Sequence, residues 1–245
     1  MFEELKPHIA ELRKRLTISI ISVIVAFLAC FAFWEPILAW MSAPLKAALP
    51  SGSEIIFTQV QEVFFTAMKV AFFAGLIVAL PVIFWQFWLF VAPGLYDNEK
   101  KYVIPFVISA TLMFLVGASF CYYLVIPLGF EFLIAFGGKL FTALPSIGEY
   151  VGFFTKLLVA FGAAFELPVI TFFLAKIGLV DDEMLKKYFR HSIVLIFVFA
   201  AVVTPPDVIS QLLMAFPLIG LYAISIYIAK KINPAVKDNE NSDDE

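Results

Sequence analysis

Six apolar runs dominate the chain: Leu16 to Phe33, Val70 to Phe90, Val103 to Ile126, Leu157 to Ala175, Ser192 to Val203 and Leu212 to Ala229. A bilayer core of about 30 Å takes roughly 20 apolar residues as a helix, and in lipid a helix satisfies its own backbone. The expected fold is therefore all-α, a polytopic membrane protein with six transmembrane helices. Composition agrees. With 62% hydrophobic residues, 15% charged and 29 phenylalanines, the chain is more apolar than one soluble core can hide. The first run reads as a retained span rather than a cleaved leader. Glu3, Glu4 and Glu11 precede it, and no small-x-small site comes before Trp34-Glu35-Pro36.

Orientation follows from the basic residues, because Lys and Arg accumulate in cytoplasmic loops. In the six-span arrangement thirteen of the 17 fall on one side, leaving only Lys46, Lys69, Lys139 and Lys156 on the other. Both termini and the loops after spans two and four are thereby expected in the cytoplasm. The connections from Glu35 to Lys69 and from Pro127 to Lys156 then lie outside. Their prolines and partly apolar character predict short helices capping the outer face. The net charge of −3 comes from the tail: without Asp238, Glu240, Asp243, Asp244 and Glu245 the remainder carries +2. Residues 1–233 are expected to form a single membrane domain, and 234–245 a disordered acidic cytoplasmic tail.

The last two spans are expected to be short. Ser192 to Val203 covers only about 18 Å at 1.5 Å per residue, less than the hydrocarbon thickness. Thr204-Pro205-Pro206-Asp207 makes a tight turn in which Asp207 can cap the following helix.

Few residues can carry chemistry. Glu166 is the one ionisable side chain deep within an apolar run, near the midplane, with Pro168 two residues on. It reads either as a protonated, hydrogen-bonded acid or as a docking point for a polar group on a partner helix. Pro7 to Leu16 forms an amphipathic entry to span one, with Glu11 and Arg15 at i,i+4 spacing. Pro93 to Lys101 forms a short charged loop. His8 and His191 stand apart, Cys30 and Cys121 sit in apolar runs, and no metal-ligand spacing occurs. Nucleophile elbow, P-loop and H-E-x-x-H motifs are all missing, so no enzyme and no cofactor is expected.

In order and spacing, His8-Ile-Ala-Glu-Leu-Arg-Lys-Arg-Leu16, Ser42-Ala-Pro-Leu45, Phe90-Val-Ala-Pro-Gly-Leu-Tyr96 with Glu99, Phe165-Glu-Leu-Pro-Val169 and Thr204-Pro-Pro-Asp-Val-Ile-Ser-Gln211 resemble the TatC family. This is the multispanning core subunit of the twin-arginine protein translocase. Ile9 and Lys100 depart from its usual leucine and arginine. The resemblance implies a cupped, glove-like bundle in the cytoplasmic (inner) membrane, a receptor for twin-arginine signal peptides of cargo exported already folded, driven by the proton gradient. It implies that Glu11 and Glu99 meet the paired arginines, flanked by Arg13, Phe90 and Tyr96, with Pro44 shaping the first outer loop. Glu166 and Gln211, with Asp207 beside them, would meet single-span partners resembling TatA and TatB. Self-association in a larger complex is expected, and nucleic acid is not a partner. Two other classes compete: a proton-coupled transporter of a small solute using Glu166, and a membrane scaffold with no ligand.

Overall fold

The computed structural model describes residues 2–91, 103–137, 141–205 and 207–235, with side chains from His8 onward. Among these residues every regular element is a helix, and one isolated parallel bridge joins Ile56 to Ser146. The elements are α1 (Phe2–Phe31), α2 (Trp34–Ala48), α3 (Glu62–Val91), α4 (Val103–Phe120), a π-helical turn (Cys121–Val125) and α5 (Ile126–Gly137). Then follow α6 (Ile147–Ala164), α7 (Leu167–Lys176), α8 (Asp182–Lys187), α9 (Phe189–Val203) and α10 (Val208–Ile232). Five segments are long and apolar enough to cross a bilayer: His8–Phe31, Glu62–Val91, Val103–Phe136, Ile147–Lys176 and Val208–Ile232. Phe189–Val203 is a shorter apolar helix. The chain divides into two compact units, Met1–Ala163 and Ala164–Glu245.

In the first unit α1 packs antiparallel along α3. Gly75 permits this: a β-carbon there would lie 2.6 Å from the Phe27 nitrogen and 2.8 Å from its Cα, so the two backbones approach as only a glycine allows. Most of α1 otherwise faces outward, with Ile20, Ile21 and Leu28 exposed, as lipid rather than water is its solvent. Above this pair, α2 is held by two tyrosines. Tyr122, in the π-helical turn, donates to the Trp40 carbonyl at 2.9 Å and stacks on its ring at 4.2 Å, and Tyr150 of α6 donates to the Met41 carbonyl at 2.6 Å. Pro44 is half-buried inside α2, next to the fully buried Leu45. Of the two connections expected to carry short helices, the first holds α2, whereas in the second α5 continues the Val103–Phe136 segment instead of standing apart from it.

The loops before α3 and α6 are joined through Glu62. One of its carboxylate oxygens accepts from Thr58 N at 2.6 Å, Thr58 Oγ1 at 2.9 Å and Gln59 N at 3.3 Å. The other accepts from Gly148 N at 2.8 Å and from the Ser146 hydroxyl. Alongside, Ile56 and the 145–147 segment exchange backbone hydrogen bonds of 3.1 and 2.9 Å.

Two expectations about helix lengths are corrected. The final helix is not short: α10 has 25 residues, about 37 Å, because it begins after the Asp207 cap and runs through Pro217 to Ile232. Only α9, with 15 residues, remains short. The run from Leu157 to Ala175 is not one helix either. α6 starts ten residues earlier, at Ile147, and stops at Ala164, and α7 starts at Leu167. Pro168, at the start of α7, lacks the amide that a continuous helix would use.

Candidate functional site

At the end of the α1–α3 pair opposite the Glu62 clasp, Glu11 Oε1 accepts from Arg15 Nη2 at 3.2 Å, the pair one helical turn apart. Arg15 Nη1 in turn donates to Gln86 Oε1 of α3 at 3.3 Å, and Gln86 is buried. With Arg15 level with Gln86 and Phe27 level with Gly75, the same register carried one turn further sets Glu11 level with Phe90. Arg13 is exposed two residues along α1 from both Glu11 and Arg15, on another face of the helix. Only one oxygen of Glu11 is engaged among the described residues, and the carboxylate is partly exposed. An oxygen of this kind, with a guanidinium already on its neighbour, can accept a second planar cation side-on. Glu99 and Tyr96 lie outside the described residues.

Sequence reasoning overlooked Gln86 and gave Arg15 no role beyond pairing with Glu11. The signal for Gln86 existed: it is the single amide in the apolar run from Val70 to Phe90. A lone amide there is sheltered only if another polar group reaches it. Glu62 was likewise passed over, although a glutamate opening a helix is favoured by the helix dipole and able to accept from loop amides.

An apolar cavity of about 530 Å³ also lies in the first unit, under α2. Trp40, Phe73, Val78, Leu115, Tyr122 and Phe154 border it. It has room for a few large apolar side chains.

In the second unit, Glu166 occupies the break between α6 and α7 and is 7% exposed. Its carbonyl accepts from Ile170 N at 2.8 Å, opening α7. Asp207 is the α10 cap: Oδ1 accepts from Ser210 N at 2.7 Å. Gln211, one turn into α10, donates to the Phe197 carbonyl of α9 at 3.0 Å, so its amide joins two helices of its own unit. Asp182 of α8 is buried and accepts from Lys186 Nζ at 2.5 Å and from Ala235 N at 3.1 Å. The Lys186 ammonium, then the Ala235 amide, hold its carboxyl below the ordinary aspartate value.

Fold and site together define a multi-pass helical membrane protein with polar groups concentrated at helix ends and one helix break. The family described as Sec-independent protein translocase protein (TatC) matches residues 7–217. A relative of that name from Campylobacter jejuni is 59% identical over 245 residues, spanning 99% of this chain and 100% of its own. One from Helicobacter pylori is 52% identical, spanning 99% and 93%. A solved structure described as the twin-arginine translocase receptor TatC superposes with a TM-score of 0.84 at 39% identity, covering 92% of this chain and 99% of its own. The chain belongs to the TatC family, and it is a core component of the Sec-independent, twin-arginine protein translocase. These likenesses lend nothing to the solute-transporter alternative.

Proposed function

We propose that the chain receives twin-arginine signal peptides at the Glu11 end of the α1–α3 pair, with Glu11 and Glu99 accepting the two guanidinium groups. The observation that carries this reading is the half-used Glu11 carboxylate, steadied by Arg15 and Gln86 and level with Phe90. A guanidinium presents two parallel N–H groups that match a carboxylate, whereas an ammonium offers a point charge. Arg13 and Tyr96 flank the site, and the apolar cavity under α2 offers room for part of the hydrophobic segment that follows the arginines. The solved TatC structure described as a receptor supports the same role.

The asymmetry of Lys and Arg supports six spans with both termini in the cytoplasm and residence in the inner membrane, α9 being the short fifth span. In this reading Glu166, Gln211 and Asp207 are the polar groups of the second unit that single-span partners resembling TatA and TatB would meet. The chain acts by binding, without a covalent step of its own, and export is driven by the proton gradient. Crosslinking of a twin-arginine peptide to membranes tests the site. The combined Glu11→Ala and Glu99→Ala variant is expected to lose the crosslink, and replacing both peptide arginines by lysine to weaken it. An undiminished crosslink to the double variant removes these carboxylates from the account.

A further inference from the structure

Lys187, Arg190, Lys230 and Lys231 are exposed at one end of the second unit, and none has an ion pair among the described residues. Among the described residues the acids nearby form no ion pair with them, Glu183 being exposed on α8 four residues before Lys187 without a salt bridge to it. Asp181 accepts from Met184 N at 2.7 Å as the cap of α8, and Asp182 is taken by Lys186 and the Ala235 amide. The cations are carried on a fixed frame rather than a loose loop. Tyr222 OH donates to the Leu185 carbonyl at 3.0 Å, and Asn233 Nδ2 to the Val180 carbonyl at 3.1 Å, lashing α8 to the last turns of α10. Arg190 sits in the first turn of α9, where the helix end is already positive, so helix stability does not account for it. Around these charges Leu179, Met184, Tyr188 and Tyr227 are exposed apolar or amphipathic side chains. Aromatic and basic residues mixed at the ends of apolar helices suit the boundary between headgroups and hydrocarbon.

We propose that Lys187, Arg190, Lys230 and Lys231 form a binding surface for the phosphate of an anionic phospholipid headgroup, with Leu179, Met184, Tyr188 and Tyr227 seated among the upper acyl carbons. Charge complementarity selects this occupant: four unpaired cations attract an anion and repel a twin-arginine segment. The surface is thus distinct from the Glu11 site and independent of it.

The test uses the full chain, purified in mild detergent, stripped of lipid and offered phosphatidylglycerol or phosphatidylcholine, with retained lipid counted by native mass spectrometry. Wild type is expected to retain phosphatidylglycerol in preference. The fourfold variant Lys187→Gln, Arg190→Gln, Lys230→Gln, Lys231→Gln is expected to retain at least about tenfold less, since each cation near an anionic surface adds severalfold to the affinity. Lys46→Gln, Lys69→Gln and Lys156→Gln in the first unit serve as the control and should change nothing. Equal retention of the two lipids, undiminished retention by the fourfold variant, or an equal loss in the control overturns the proposal. So does displacement of the lipid by inorganic phosphate, which would mean a free-anion site, and so does unchanged lipid with loss of an acidic protein partner. If the fourfold variant loses its helical circular dichroism, Lys230→Gln with Lys231→Gln on the exposed last turn of α10 decides the matter by the same readout, with a smaller expected loss.

Discussion

Glu62 and Glu11 stand at opposite ends of the α1–α3 pair, and their surroundings could hardly differ more. Both oxygens of Glu62 are engaged, by two amides and a hydroxyl from the 58–59 segment and by an amide and a hydroxyl from the 146–148 segment. Glu11 has one oxygen on Arg15 and the other unengaged among the described residues. A carboxylate whose acceptor positions are filled by its own chain is a fastening. One left with spare acceptors at a partly exposed end is fitted to take a donor from elsewhere. Equal chemistry, differently saturated, separates architecture from recognition.

The contrast can be pressed hardest with a third carboxylate, the buried Glu166. Glu166→Lys places a cation within an apolar run, at a cost of about 2.5–3.5 kcal/mol, so folded protein in membranes should fall sharply. Glu166→Gln, which keeps a hydrogen-bonding side chain of similar shape, should remain near wild type. Equal damage from both would show that Glu166 works as an ion. Next in size is the direct exchange. Glu11→Ala should weaken binding of a twin-arginine peptide by about tenfold or more, the loss of a charged hydrogen bond being about 1.5–3 kcal/mol, with the melting temperature little changed. Glu62→Ala should do the reverse, lowering the melting temperature and leaving the affinity of the surviving folded protein intact. If the two variants traded these outcomes, the comparison would be broken.

Gly75→Ala tests whether the two ends communicate through the helix contact. Its methyl group meets main chain, which cannot rotate away, so overpacking should cost about 1–3 kcal/mol. It should also loosen the Arg15–Gln86 contact, seen as weaker peptide binding in the protein that still folds. The smallest effect concerns Asp182. Because its carboxyl is held below the ordinary value in the folded chain, its contribution is complete above the ordinary aspartate range. That contribution is lost as pH falls through the depressed value. Protection of the Ala235 amide, taken relative to the intrinsic exchange rate at each pH, should therefore fall on acidification in wild type, and Asp182→Asn should flatten the dependence.

Much of this was legible in the sequence, and the reasons are physical. The apolar runs marked each of the five helices long and apolar enough to cross a bilayer, because lipid imposes length and composition together. The Thr204-Pro205-Pro206-Asp207 turn disclosed the α10 cap because proline and a capping aspartate act locally. Helix ends were read less well: α3 and α6 begin about eight to ten residues before the apolar runs that marked them, since polar residues continue a helix as readily as apolar ones. The Gln86 link and the Glu62 clasp depend on partners 71 and 84 to 86 positions away, which no local pattern reveals. The break at Glu166 had a local sign in Pro168, yet the apolar run continued across it and concealed the interruption.

The tyrosine bonds to α2 carry one more consequence. Tyr150 fastens to the main-chain oxygen of Met41, not to its side chain, and a carbonyl is present whatever residue occupies that position. Exchanging Met41 for another apolar residue of similar bulk leaves that anchorage untouched, whereas removing the phenolic hydroxyl of Tyr150 leaves α2 with the Tyr122 bond to Trp40 as the other of its two tyrosine moorings. The lid over the first unit can therefore drift in composition while staying berthed in place.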